Sequence, residues 1–413
     1  FSPVRYTDGK TGARVNMEAL ELGFSPVQAL IGQPGATVTL VAPHLQMVQD
    51  LNGSRPTNFE IAENGSGEPI TVRVLEGQDT FPLIEIAVDG VGVQGSSGVL
   101  PMRSDNDLLI GNLENIERSF GEIVEQARQG RFSKLIVRDG IMDTLDATYG
   151  YFRRLDDIDV DIGATGTRGI TAGNFSLNFA EQTMMGTVSR SVDEAGSSRI
   201  EADITNIDFA SMMPFTDNPE SMAAVHGTGA VSIDVNFEPA EGKLVDGRFK
   251  LDLTGLDLRI DDAYFPIASS IIDVDWVPSS GQFIIAESAI HIGKSSARVS
   301  GTLGMGVDAK FGPTVGMSLK AKNVLIHPDD MDAPAAPFDS IEFSGWSAPL
   351  YGALGIDRMV ARKGEAFVEA AGRVDVLSEG MGVNISMAGQ GTTADDVKRL
   401  WPFAIREESR DWF

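Results

Sequence analysis

Alternation is the plainest signal along this chain. In "GRFKLDLTGLDLRIDDAYF", Gly247 to Phe265, the apolar Phe249, Leu251 and Leu253 alternate with Lys250, Asp252 and Thr254. After Gly255, Leu256, Leu258 and Ile260 alternate with Asp257, Arg259 and Asp261. A two-residue period places one apolar and one wet face on a strand. The parity slips at Gly255, and a bulge or bend at that glycine restores the face. "VSIDVNFE" sets Val231, Ile233, Val235 and Phe237 against Ser232, Asp234, Asn236 and Glu238. "VGMSLKAKNV" sets Val315, Met317 and Leu319 against Gly316, Ser318 and Lys320.

Strands are also expected at Thr37 to Val48, Ile70 to Glu76 and Pro82 to Gly95, divided by Gly, Pro and Asn turns. The stretch 53–69, "GSRPTNFEIAENGSGEP", reads as a loop, and Ser25 to Gly32 as a short helix with Ser25 as cap. One long amphipathic helix is predicted over about 105–129. Leu109, Leu113, Ile116, Phe120, Ile123 and Ala127 fall on one stripe, with Glu114, Glu117, Arg118, Glu125 and Arg128 off it. That stripe suits a helix packed on a sheet, or a lid over a groove. A short helix near Thr392 or Thr393 closes the pattern.

A sparse internal repeat accompanies the strands. "RDGIMDTLDATYG" aligns with "LTGLDLRIDDAYF", matching Gly140 to Gly255, Asp146 to Asp261 and Tyr149 to Tyr264. "DIDVDI" at 157–162 then meets "IDVDW" at 272–276, and "MGTVS" at 185–189 meets "SGTLG" at 300–304. The pattern divides into an N-terminal β unit (1–104), the helix (105–130), two β repeat units (131–245 and 246–326), a proline-rich connector (327–340) and a C-terminal β segment (341–413) ending in a short helix. Gly140 and Gly255 are the expected repeat bends.

Composition then narrows the chemistry. The formal net charge of -26 disfavours nucleic acid and anionic lipid headgroups as general surface partners. With no cysteine, disulfides, thiolate metal sites and cysteine nucleophiles are excluded. His44, His226, His291 and His327 are scattered, and the aspartates of "DDIDVDI" lack the glycine turn and closing Glu of a calcium loop. No glycine-rich run leads from a strand into a helix, and no G-x-S-x-G elbow occurs. The sequence predicts no catalytic, cofactor-binding or metal residues, and no enzyme. Pattern alone assigns the apolar face to a second sheet in a sandwich or barrel. A single-layer sheet leaves it open as a binding groove.

Three stretches together resemble the AsmA-like superfamily of Gram-negative envelope proteins, and the YhdP-like group most closely. They are "VNMEALELGFSPVQALIGQPGATVTLVAPHLQMV", "FSKLIVRDGIMDTLDATYGYFRRLDDIDVDI" and the final "VKRLWPFAIREESRDWF". The resemblance implies a fragment of a longer periplasmic protein, anchored in the inner membrane by a helix outside this sequence. It implies an elongated, curved, repeated antiparallel β-sheet with a half-open apolar groove. The implied function is lipid transfer, carrying phospholipid acyl chains between inner and outer membranes, with further envelope proteins as possible partners. The implied groove wall is Val231, Ile233, Val235, Phe237, Phe249, Leu251, Leu253, Leu256, Leu258, Ile260, Val315, Met317 and Leu319. The alternative is a β-rich structural or adhesin-type scaffold whose sheets pack on each other and carry no lipid.

Overall fold

The computed structural model describes residues 2–7, 14–24, 36–50, 53–56, 58–63, 69–75, 84–87, 107–129, 133–146, 151–165, 170–179, 182–208, 223–239, 242–260, 263–308, 312–327, 337–348, 353–377 and 380–394. The protein is mainly β. Its described strands pair mostly antiparallel and are not closed into a barrel, and one helix accompanies them. The chain divides into two units. Unit 1 comprises 1–96, 107–204 and 234–245, and unit 2 comprises 97–106, 205–233 and 246–413.

Unit 1 begins with β1 (Val4–Thr7), β2 (Arg14–Met17), β3 (Ala19–Phe24), β4 (Ala36–Val41), β5 (His44–Asp50) and β6 (Gly53–Pro56). β7 (Asn58–Glu63), β8 (Pro69–Leu75) and β9 (Ile84–Ala87) form a separate three-stranded sheet. Helix α1 (Asp107–Arg128) follows, then β10 (Lys134–Asp146), β11 (Tyr151–Thr165), β12 (Ile170–Phe179), β13 (Gln182–Val192) and β14 (Ser198–Asp208). From β10 to β13 each strand pairs antiparallel with the next. The other edge of β10 pairs in parallel with β4 along its first half and β5 along its second. Parallel neighbours need a crossover, and that connection contains the small sheet and α1.

After β15 (Ala223–His226) and β16 (Thr228–Phe237), unit 2 runs through β17 (Leu244–Asp252), β18 (Asp257–Ile260), β19 (Ala263–Val277), β20 (Gln282–Ile292), β21 (Ser295–Asp308) and β22 (Gly312–Leu325). β23 (Pro337–Ala348), β24 (Ala353–Lys363), β25 (Ala366–Leu377) and β26 (Gly380–Gln390) complete it. β19 to β26 form an uninterrupted antiparallel meander. β17 and β18 share β19 as partner, lying against its second and first halves.

Both glycines of the repeat sit at breaks in strand regularity. Gly140 lies where β10 shifts register against β11, beside Asp139 at φ 54°. Gly255, at φ 91°, occupies the turn between β17 and β18, where its N–H donates to the carbonyl of Ile267 (3.0 Å). At this positive φ a side chain is strained, which explains the glycine. The first copy therefore keeps one bulged strand where the second splits into two. In β4–β5 the same break falls at Ala42 (φ 47°), whose N–H donates to the Arg138 carbonyl, so the irregularity crosses neighbouring strands at one level.

Several local expectations change. The stretch 53–69 is not one loop: Gly53–Pro56 and Asn58–Glu63 are strands, the second carrying the alternating Phe59 and Ile61. Thr37 to Val48 is two strands, β4 and β5. The strand expected over Pro82 to Gly95 is described only at Ile84–Ala87. Pro337 already belongs to β23, which pairs directly with β22, so the sheet continues on both sides of the proline-rich stretch. The short helix at 25–32 and most of the closing helix lie outside the described residues.

Candidate functional site: an apolar sheet face

Residues opposite one another in a ladder share a face, so the register shows what each face carries. In unit 2 one row runs Phe249, Val274, Ile285, Gly301, Leu319, Phe343, Met359, Ala370 and Met387 from β17 across β19 to β26. A neighbouring row runs Trp276, Phe283, Leu303, Met317, Gly345, Ile356, Gly372 and Ile385. Neither row contains a charged residue. At the β17 side the face is aromatic: the Phe283 ring lies 5.8 Å from Phe249, edge-on, and 4.8 Å from Trp276.

The opposite face carries ion pairs instead. Arg248 meets Asp275 (3.2 Å), Glu287 accepts from Arg298 (3.0 Å) and Lys322 (3.4 Å), Lys320 pairs with Glu342 (3.0 Å), and Arg358 with Glu369 (2.7 Å). Hydrogen bonds from Arg298 and Lys322 hold Glu287 below its ordinary carboxylate value, and Lys320 does the same for Glu342. Asp252 is lowered through its hydrogen bonds with Thr254.

The sequence-predicted wall residues separate by burial. Phe249, Leu251, Leu253, Val315, Met317 and Leu319 are half-buried in unit 2, as are Val231 and Ile233. Val235 and Phe237, in unit 1, are fully covered, and Leu256 in unit 2 is buried. Those three positions are occupied by protein packing. Leu258 and Ile260 are placed by backbone alone, opposite Phe265 and Ala263. Part of the apolar face in unit 2 is also closed by its own packing, where Val324, Phe338, Ala361 and Val368 form a buried cluster.

Unit 1 repeats the apolar construction. Leu22, Val38, Leu135, Ile162, Gly173 and Val188 form one row, and Leu20, Leu40, Val137, Val160, Phe175 and Gly186 the next. The Phe175 ring lies across Gly186 so closely that any Cβ there would collide with it. Two residues beyond Val188, on the same face, stands Arg190, opposite Thr171. Sequence reasoning did not find what happens there. Arg190 donates from Nε to Glu117 Oε2 (2.8 Å) and from NH2 to Oε1 (2.5 Å), and Ser198 Oγ donates to Glu117 Oε1 (2.6 Å).

That cluster corrects the helix. Glu117 is only 6% exposed whereas Ile116 is 46% exposed, so α1 turns Leu113, Glu117 and Val124 inward. The spacing four, three, four through Phe120 was present in the sequence. The carboxylate is accepted because a guanidinium and a hydroxyl await it. Glu114 reinforces the seat by accepting from the Leu244 N–H (3.2 Å).

A second polar centre in unit 1 surrounds Asp143, which is fully buried. Arg154 donates to both its oxygens (2.7 and 3.1 Å), and His44 Nε2 lies 2.7 Å from Oδ2. Burial is the largest influence on Asp143 and opposes ionisation, but the His44 and Arg154 contacts outweigh it and hold the carboxyl below 3.8. The aspartates of β11 have separate partners: Asp157 accepts from Asn178 (2.7 Å), Asp159 from the Asp139 N–H (3.1 Å), and Asp161 pairs with Lys134 (2.6 Å). No three-residue metal-ligating group occurs among the described residues.

No family model, curated protein or solved structure matches the chain. Among the described residues no helix is long and apolar enough to cross a membrane.

Proposed function

We propose that this protein carries the acyl chains of phospholipids on the apolar face of its sheet. The observation that supports it is the register of unit 2, where two charge-free rows cross β19 to β26 while charged pairs occupy the other face. Such a face takes hydrocarbon out of water at about 0.8 kcal/mol per buried methylene and needs no specific polar contact. Headgroups remain in solvent, which accounts for a ligand face with no polar recognition cluster. The resemblance of the sequence to AsmA-like proteins supports placing this work in the periplasm of a Gram-negative bacterium. There it would be a segment of an inner-membrane-anchored bridge towards the outer membrane, with no reaction catalysed.

A scaffold reading is favoured by one observation, the buried cluster around Phe338, which closes part of the same face with protein. Photo-crosslinking residues at Leu251 and Met317, introduced in cells, separate the two. Capture of phospholipid at both positions, identified by mass spectrometry, supports the carrier. A folded chain that captures none at either position, and yields no lipid on extraction, overturns it in favour of the scaffold.

A further inference from the structure

Helix α1 is held to the strands of unit 1 by polar contacts, Glu117 with Arg190 and Ser198 and Glu114 with the Leu244 N–H. Arg190 stands on the apolar face two residues beyond Val188, opposite Thr171, and Glu117 of the helix meets it there. Beside Arg190 in the register, the Thr171 hydroxyl is fully buried and has no hydrogen-bond partner. A seat built only for stability would be apolar, because a buried ion pair is often no better than well-packed hydrocarbon.

The helix is also weak in itself. Gly111 and Gly121 lie within it, and each lowers helix stability relative to alanine. Neither is required by space: nothing lies within 4 Å of a Cβ at Gly111, and one at Gly121 would approach only Arg190, at 3.9 Å. The helix thus combines two unforced glycines with a concentrated charged contact to the sheet.

We propose that α1 is a releasable cover over an acyl-chain site on the unit 1 face, with Glu117, Arg190 and Ser198 as its latch. The proposal rests on the acyl-carrier reading and adds a gate to it. With the helix down, its Leu113 and Val124 are buried; with it lifted, a single acyl chain takes the helix's place on the face that carries Val188 and Arg190.

The test uses the purified chain, a diazirine-bearing palmitic acid as probe, peptide mapping of the labelled sites and hydrogen exchange of 107–128. Glu117→Gln is expected to raise helix exchange about tenfold with β11 to β13 unchanged. It is expected to raise labelling of peptides spanning 171–192 about threefold. The paired variant Gly111→Ala with Gly121→Ala stiffens the helix and is expected to lower both readings. If exchange rises while labelling of 171–192 stays at its starting level, and unit 2 peptides from 312–348 are labelled, α1 opens without uncovering an acyl-chain site and only the gate is lost. If no peptide of either unit takes up the probe, the carrier reading itself falls. Should Glu117→Gln fail to fold, the glycine pair decides alone: unchanged labelling with slower exchange overturns the gate.

Discussion

Units 1 and 2 present the same strand pattern and treat its apolar face differently. In unit 1, Arg190 stands on the apolar face two residues beyond Val188, and a helix carboxylate neutralises it. In unit 2 the rows from Phe249 and Trp276 reach β26 with no charge in them, and Ala394 is the one helical residue among those described there. Unit 1 therefore buries ion-paired carboxylates at Glu117 and Asp143, whereas the two unit 2 rows carry no charge. Hydrophobicity is common to both, so it does not account for the difference.

The largest expected effect breaks the unit 1 side of this comparison. Arg190→Met leaves Glu117 buried without its cation, and removing one partner of a buried pair costs about 3–5 kcal/mol. Replacing both, Glu117→Leu with Arg190→Met, is expected to recover most of that loss, because the seat becomes apolar. Denaturant titrations read by hydrogen exchange in 107–128 and 182–192 measure both. If the double variant is as unstable as the single, the pair is a structural requirement and the contrast with unit 2 loses its meaning.

A smaller effect sharpens the unit 2 side. Phe338 is 2% exposed within its cluster, so Phe338→Ala is expected to cost about 3–4 kcal/mol. Met317, half-buried on the same sheet face, is expected to cost about 1 kcal/mol or less as Met317→Ala, since much of its surface is already in solvent. Equal costs measured by denaturant titration would mean that both are sealed by protein, and the unit 2 face would then be a core.

Much of this was readable from sequence because it depended on period. Phe249 and Leu251, or Met317 and Leu319, needed only alternation, and Gly255 betrayed itself by a slip in parity. Register was not readable: nothing local says that Phe249 stands opposite Val274, or that Trp276 meets Phe283, and the continuity of the rows is a property of pairing. The helix shows a different limit. Leu113, Phe120 and Val124 with Glu117 fit a helical stripe as well as the version through Ile116, and charge alone argued against it. That argument fails wherever a distant cation is waiting, and Arg190 lies in another element. In 53–69, glycine, proline and asparagine hid the alternating Phe59 and Ile61, whose strand is supported by Gln46 of β5 through paired hydrogen bonds with the Phe59 backbone (2.9 and 3.0 Å).

Acid supplies the gentlest way to pull the units apart. Asp143 in unit 1 is fully buried and held below 3.8, whereas the lowered Glu287 and Glu342 of unit 2 sit in exposed pairs. A carboxyl with a folded pKa below its unfolded one stabilises the fold above the unfolded value. That stabilisation is lost as pH falls below 3.8 through the folded value. Exposed pairs contribute little by the same route, since solvent screens them. Pepsin, which works in this range, is therefore expected to cut around β5, β10 and β11 before β20 to β23 as the pH is lowered. Asp143→Asn is expected to abolish that order at a cost of about 1–2 kcal/mol near neutrality, because His44 and Arg154 lose a charged acceptor. If β20 to β23 are cut first in the unaltered chain, the acid-sensitive group lies in unit 2, and exposed charge there matters more than the buried carboxylate.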